Sequence, residues 1–201
     1  MRALALTVLL VNAHAAAQGD GVYGRLTGDV TVEALAGGGV AFEPRITTGS
    51  AALELRARYL GSAGVLVGGE LRPDGASRAL FGIDLRPIFL PRFLLGGSFR
   101  DRYWDLWLDS IGLDLGLAIT PLDRGAGVAL AVGLGFDVPL FFFDEGLSGL
   151  ALRISARHVA GQATDTWGVG TQDWLLMAAL VVRGQVTLGL PGWEPPRYRT
   201  R

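Results

Sequence analysis

The chain has 201 residues, half of them apolar and only 18% charged, with a formal charge of −1, 30 glycines and no cysteine. Mean hydropathy is +0.36. High hydrophobicity with little net charge excludes intrinsic disorder, the absence of a basic excess argues against a nucleic-acid partner, and the lack of cysteine removes disulfides, thiolate metal sites and cysteine nucleophiles. All 18 basic residues are arginine, a bias that fits a GC-rich genome and leaves no lysine for Schiff-base chemistry.

Residues 1–17 read as a secretory signal peptide. Arg2 supplies the basic start, residues 3–11 are apolar apart from Thr7, and Ala13, Ala15 and Ala17 offer small residues for cleavage before Gln18. An apolar run of nine is too short to span a bilayer as a helix, and no longer uncharged stretch follows than residues 125–136, which contain four glycines. An exported, strongly apolar chain without a spanning helix is either a secreted β-protein or a transmembrane barrel.

Alternation carries the reading further. In residues 25–34 the odd positions Arg25, Thr27, Asp29, Thr31 and Glu33 are all polar, and the even ones are apolar or glycine. Leu53, Leu55, Ala57 and Tyr59 oppose Glu54, Arg56 and Arg58. Phe81, Ile83 and Leu85 oppose Asp84 and Arg86, and Leu152 and Ile154 oppose Arg153, Ser155 and Arg157. In residues 128–138 large apolar side chains alternate with Ala129, Ala131, Gly133, Gly135 and Asp137, small residues that would fit a narrow lumen beside arginines. Eight strands follow, near 22–36, 49–60, 63–72, 77–90, 111–120, 126–138, 148–159 and 174–189. Their lengths cluster about the 9–11 residues that a tilted strand needs to cross hydrocarbon, and an even count brings both ends to the periplasmic side. Residues 37–48 and 160–173 are expected to be long outward loops, with Gly37, Gly38 and Gly39 flexible, while Gly61 and Ser62 make a tight periplasmic turn. Between strands four and five, Trp104, Trp107, Leu108 and Ile111 fall at helical spacing, and Asp101, Asp105 and Asp109 stack at every fourth position. The apolar phase slips between Leu108 and Ile111. A short amphipathic helix near 100–110 leading into strand five is expected, its Tyr103, Trp104 and Trp107 either suited to a membrane interface or simply packed under the barrel mouth.

With signal peptide, strand count, parity and alternation over nearly the whole exported chain, the sequence resembles the small eight-stranded outer-membrane barrels, the superfamily of outer membrane protein A-type domains. The stretch Ile83-Asp84-Leu85-Arg86-Pro87-Ile88-Phe89-Leu90-Pro91-Arg92-Phe93, with Leu108-Asp109-Ser110 and Leu134-Gly135-Phe136, also looks like a set of uncharacterised myxobacterial barrel proteins. The resemblance implies an all-β, eight-stranded antiparallel up-and-down transmembrane barrel over 18–190, located in the outer membrane of a Gram-negative cell. Its partners would be outer-membrane lipid and lipopolysaccharide, with barrel-assembly machinery for insertion. The chain departs from that pattern at its end, where such barrels close on an aromatic residue and this one continues into a Pro- and Arg-rich tail, 191–201.

Parity places Glu54, Arg56, Arg58, Glu70, Arg72, Asp84, Arg86, Asp114, Asp137, Arg153, Arg157 and Arg183 inside. Mixed signs in a lumen just wide enough for side chains are expected to pair into a salt-bridged plug rather than a pore. No enzymatic activity, cofactor or metal is expected. His158 is the one histidine beyond the export signal, yet the outer-membrane lipid A deacylases carry a His-x-Ser-Asn pattern where this chain reads His158-Val159-Ala160-Gly161. Ser155, three residues away, would face the other side of the strand. Asp165 and Asp173 flank Thr164, Thr166, Trp167, Thr171 and Gln172 in the last large loop, which could bind sugars or a partner surface. The expected role is structural or surface-interacting. Its competitors are a soluble, lipocalin-like barrel with apolar faces inward, a lipid-modifying enzyme on a barrel scaffold, and a narrow conducting pore.

Overall fold

The computed structural model describes residues 26–42, 47–73, 77–95, 97, 99, 101–120, 127–143, 147–160 and 173–190. The export signal 1–17, the tail 191–201 and the Thr- and Trp-bearing part of the last loop lie outside them. Eight strands, β1 (Val30–Phe42), β2 (Thr47–Tyr59), β3 (Ala63–Leu71), β4 (Arg78–Leu85), β5 (Gly112–Thr120), β6 (Gly127–Phe142), β7 (Gly149–Ala160) and β8 (Asp173–Val186), pair with their sequence neighbours. All pairs are antiparallel, and β1 also pairs with β8 from Val30↔Val186 to Phe42↔Trp174, which closes the barrel and removes every sheet edge. Two helices, α1 (Phe89–Leu94) and α2 (Arg102–Asp109), separate β4 from β5. They lie at the mouth that also holds the start of β1 and the end of β8, here the terminal mouth; the opposite opening is the distal mouth.

The period of two sets the inside and the outside. Every Asp, Glu and Arg within the eight strands is buried. The opposite parity turns rows such as Leu53 and Leu55, Val65 and Val67, Phe81 and Ile83, Val128 to Leu134, and Leu176, Leu180 and Val182 to the surface. Among the described strand residues the outer face carries no carboxylate or guanidinium.

Several boundaries differ from the sequence reading: β1 begins at Val30 instead of residue 22, β6 runs to Phe142 instead of 138 and β8 ends at Val186 instead of 189. Two further differences have a clear physical cause. Residues 37–42 are not a loop but the distal half of β1, where Gly37 pairs with Ala179 and Gly39 with Met177 of β8. A Cβ on Gly37 would strike the Ala178 carbonyl and Ala179, and one on Gly39 the Leu176 carbonyl, so the glycines mark a close backbone approach and not a flexible connection. Only residues 43–46 separate β1 from β2. Strand four likewise stops at Leu85 instead of residue 90. Arg86 still donates its N–H to the Ser62 carbonyl at 2.7 Å, but Pro87 has no N–H to continue a ladder, and α1 begins two residues later. The helix expected near 100–110 is present as α2. Asp101 caps it, accepting from the amides of Tyr103 (2.8 Å) and Trp104 (3.2 Å), and Ser110 ends it.

At the terminal mouth the β2–β3 turn closes through Ser62 N–H to the Tyr59 carbonyl, with Leu60 at φ 47° and Gly61 at φ 69°. Both central residues are left-handed, the twist that suits a two-residue hairpin. Gly61→Val should lower unfolding stability by about 1–2 kcal/mol through backbone strain alone, since a Cβ there meets only the Phe89 ring at ordinary contact distance. Urea unfolding of refolded protein in detergent micelles measures it. Beside this turn Asp29 accepts from the amides of Leu188 and Leu190, both at 2.6 Å, fastening the chain after β8 to the start of β1. Burial pushes this carboxyl up, but the two amides outweigh it and hold it below the ordinary carboxylate value. The fastening therefore stabilises this end at neutral pH and is lost only as acid protonates Asp29 below the usual carboxylate range. Asp29→Asn should raise amide exchange at Leu188 and Leu190 at neutral pH, and this difference from the parent should vanish in strong acid.

Candidate functional site: a charge-filled lumen

Most inward positions near the terminal mouth are charged, and the eight strands bring them into one connected set. Arg56 on β2 sits at its centre. Its Nη2 donates to Glu54 at 2.6 Å and to Asp114 on β5 at 2.9 Å, and its Nη1 donates to Asp114 at 2.7 Å and Asp84 on β4 at 3.1 Å. Arg58 donates to Asp84 at 2.6 Å and forks onto Glu33 of β1. Arg183 of β8 bridges Glu33 and Asp137, Arg153 of β7 reaches Asp137 at 2.9 Å, and Arg157 reaches Glu54 at 2.6 Å. Arg86 lies 3.3 Å from Asp84, 3.7 Å from Asp137 and 3.8 Å from Glu33. Six arginines and five carboxylates thus interlock, all of them buried.

A second ionic group sits toward the distal mouth. Asp173 accepts from Arg72 at 2.6 Å and from Arg78 at 2.7 Å, and Arg78 also pairs with Glu70 at 2.9 Å. Between the two groups the inward side chains are apolar or small: Leu66, Leu80, Ala118, Ala129, Ala131 and Val159 on one wall, and Leu35, Leu175 and Met177 on the other. The twelve residues singled out from parity all line this interior. Glu33, Arg78 and Asp173 complete it. Glu33 and Arg78 stand on polar parities visible in the sequence, whereas Asp173 reads there as a loop residue because it opens β8 by one position.

Small residues make room for the guanidinium groups. A Cβ on Gly135 would come within 3.0 Å of Arg153 Nη2, and one on Gly112 within 3.1 Å of Arg86 Nε. The terminal mouth is closed by Leu26, Leu106 and Leu147, with Leu60 and Phe142 against them. Arg92 of α1 clamps Asp105 and Asp109 of α2. Asp105 and Asp109 line, together with Arg58, Arg86 and Arg183, a cavity of about 30 Å³.

His158 points outward from β7. Its Nδ1 lies 3.1 Å from the Asp173 carbonyl, which an Nδ1–H tautomer would satisfy, and its ring stacks on Trp174 with centroids 4.6 Å apart. Ser155 faces inward and is buried, so the two groups lie on opposite sides of the sheet wall. Among the described residues no group of three or more carboxylate or imidazole side chains is arranged to hold a metal ion.

No family model matches the chain, and no curated protein matches it significantly. Solved structures similar in fold include the de novo designed TMB2.3 in solution, at 14% identity and a TM-score of 0.46, covering 80% of this chain and 98% of that one. The outer membrane protein OprG from Pseudomonas aeruginosa is 10% identical with a TM-score of 0.45, covering 81% and 99%. Neisserial surface protein A is 14% identical with a TM-score of 0.40, covering 77% and 96%.

Removing one partner from a buried ionic set leaves uncompensated charge. Arg56→Ala strips direct bonds from three carboxylates at once and should cost about 3–5 kcal/mol. His158→Ala, on the outward face near the distal mouth, should cost under about 1 kcal/mol. Urea midpoints of the two variants, compared with the parent, check the contrast.

Proposed function

We propose that the chain is an outer-membrane β-barrel, exported by its N-terminal signal, whose ion-paired lumen makes it a structural or surface-interaction protein and not a channel. One observation carries this reading: the barrel is inside out relative to a water-soluble protein. Its outward rows are apolar on all eight strands apart from Thr47 and His158 near the distal mouth, and its charges are inside. A charged side chain at the bilayer midplane would cost roughly 2–4 kcal/mol, and none stands there among the described residues. From Val128 to Val138 the outward face of β6 advances ten residues. At about 3.4 Å each and a tilt near 40°, that gives about 25 Å of height, the apolar band of such barrels.

The same distribution counts against a lipocalin-like ligand barrel, which needs its apolar faces inward. Against conduction stand the two ionic groups, the apolar packing between them and the mouth closed by α2. Against lipid-modifying catalysis stands the placement of His158 and Ser155 on opposite faces of β7. Lipid hydrocarbon fits the outward rows, lipopolysaccharide the outer leaflet around the distal mouth, and in the cell barrel-assembly machinery would carry out the insertion. No cofactor enters the proposal.

Expressing cells should retain the protein in washed outer membranes. On denaturing gels the unboiled barrel should migrate differently from the boiled chain, because a closed hydrogen-bonded barrel resists detergent until heated. Planar bilayers should show no resolved conductance steps. A monomer soluble in detergent-free buffer without a heat-dependent shift would overturn the membrane reading, and resolved unitary currents would overturn the plug.

A further inference from the structure

We infer that α2 is an interfacial anchor whose aromatic face docks into the headgroup and glycerol region of the phospholipid leaflet at the terminal mouth. The inference rests on the membrane reading above and adds a lipid contact outside the strands.

The eight residues of α2 present two unlike faces. Asp105, Leu106 and Asp109 are buried toward the lumen, where Arg92 clamps the carboxylates. The other face carries Tyr103 and Trp104, 38% and 55% exposed, and Trp107, half-buried. These rings are not a scattered patch. Tyr103 meets Trp104 edge to face at 5.7 Å, Trp104 meets Trp107 at 5.9 Å, and Trp107 meets Phe136 at 6.1 Å. Phe136 belongs to the outward row of β6, in line with Leu134 and Val132. The ladder therefore begins on the apolar wall and steps off the end of the barrel without a break.

Its height is fixed. Beyond the pairing of Gly112 with Gly135, β6 has no β5 residue beside it. Ser110 takes that place, its hydroxyl accepting the Asp137 amide at 2.7 Å and donating to the Trp107 carbonyl at 2.6 Å, which ties the end of the helix to β6. At the other end of the helix the Arg102 guanidinium stacks on Phe142 at 3.7 Å. A helix pinned at both ends holds its rings where the hydrocarbon stops, the depth at which amphipathic tryptophan and tyrosine concentrate. Continuity with the lipid-facing row favours phospholipid over a second copy or a soluble partner.

The chain contains no cysteine, so single substitutions give unique labelling sites. Trp104→Cys and Leu180→Cys, the latter on the outward face of β8, would each carry a nitroxide in full-length protein refolded into phosphatidylcholine vesicles. Depth is read from collisions with oxygen, which partitions into lipid, and with a water-soluble nickel chelate. The label at 180 should favour oxygen strongly, and the label at 104 should also favour oxygen, at a depth nearer the surface. A label at 104 as open to nickel as free nitroxide in water, with 180 still in lipid, overturns the anchor and leaves the barrel reading intact. A label at 104 shielded from both reagents means protein covers it, which also overturns the anchor. Water-like behaviour at 180 defeats the membrane reading and the anchor with it. Should Trp104→Cys lose its heat-dependent gel shift, Tyr103→Cys on the same face supplies the same readout.

Discussion

The structure depends on charge pairing in a closed, narrow lumen. An eight-stranded barrel leaves an interior just wide enough for side chains to fill, and an unpaired buried charge costs several kcal/mol. Arg56 shows how the cost is met: one guanidinium serves Glu54, Asp84 and Asp114, drawn from β2, β4 and β5. Pairing and register then determine one another. A slip of one residue in any strand would turn its charged row to the outside and its apolar row inward. The ionic network consequently selects a single alignment of eight strands that hydrogen bonding alone would leave degenerate.

Strand length follows from the same interior. β6 runs for 16 residues and β5 for only 9, so at the terminal mouth β6 lacks a strand partner on one side. Pro87 has already ended β4, and the chain between β4 and β5 coils into α1 and α2. What would be a notch in the wall becomes the seat of a helix held by Ser110 against β6, while its acidic face lines a cavity with Arg58, Arg86 and Arg183. The two mouths differ as a result. One is covered by a helix over an apolar cluster, the other ends in the Arg72–Asp173–Arg78 ion pairs.

Much of this was legible in the sequence, because a period of two with charges on one face has few other solutions. Strands β2 and β7 are plain from Glu54, Arg56 and Arg58, and from Arg153 and Arg157. The phase slip between Leu108 and Ile111 marks the helix-to-strand change. Glycine is the residue whose role the sequence leaves open. Gly37 to Gly39 reads as a flexible loop, yet the same residues are required where β1 and β8 approach too closely for a Cβ, and composition cannot separate the two uses. Asp173 reads as a loop residue for a related reason: it lies at a strand end, where alternation has too few residues to establish a phase. The partners of each arginine were not legible at all, since they depend on the stagger between strands.

Arginine is well suited to such an interior. A lysine ammonium is a point charge with three donors, whereas the planar guanidinium presents five donors in a fixed fork and stays protonated throughout the physiological range. Arg58 uses that fork on Glu33 while reaching Asp84, and Arg183 spans from Glu33 to Asp137. Lysine at these positions could balance the charge but could not join carboxylates from three strands in fixed directions. The bias toward arginine that fits base composition therefore coincides with what the lumen needs mechanically. A lumen so cross-linked has little freedom to open or to rearrange around a ligand. A partner would then meet surfaces the network leaves free, among the described residues the outward rows and the aromatic face of α2.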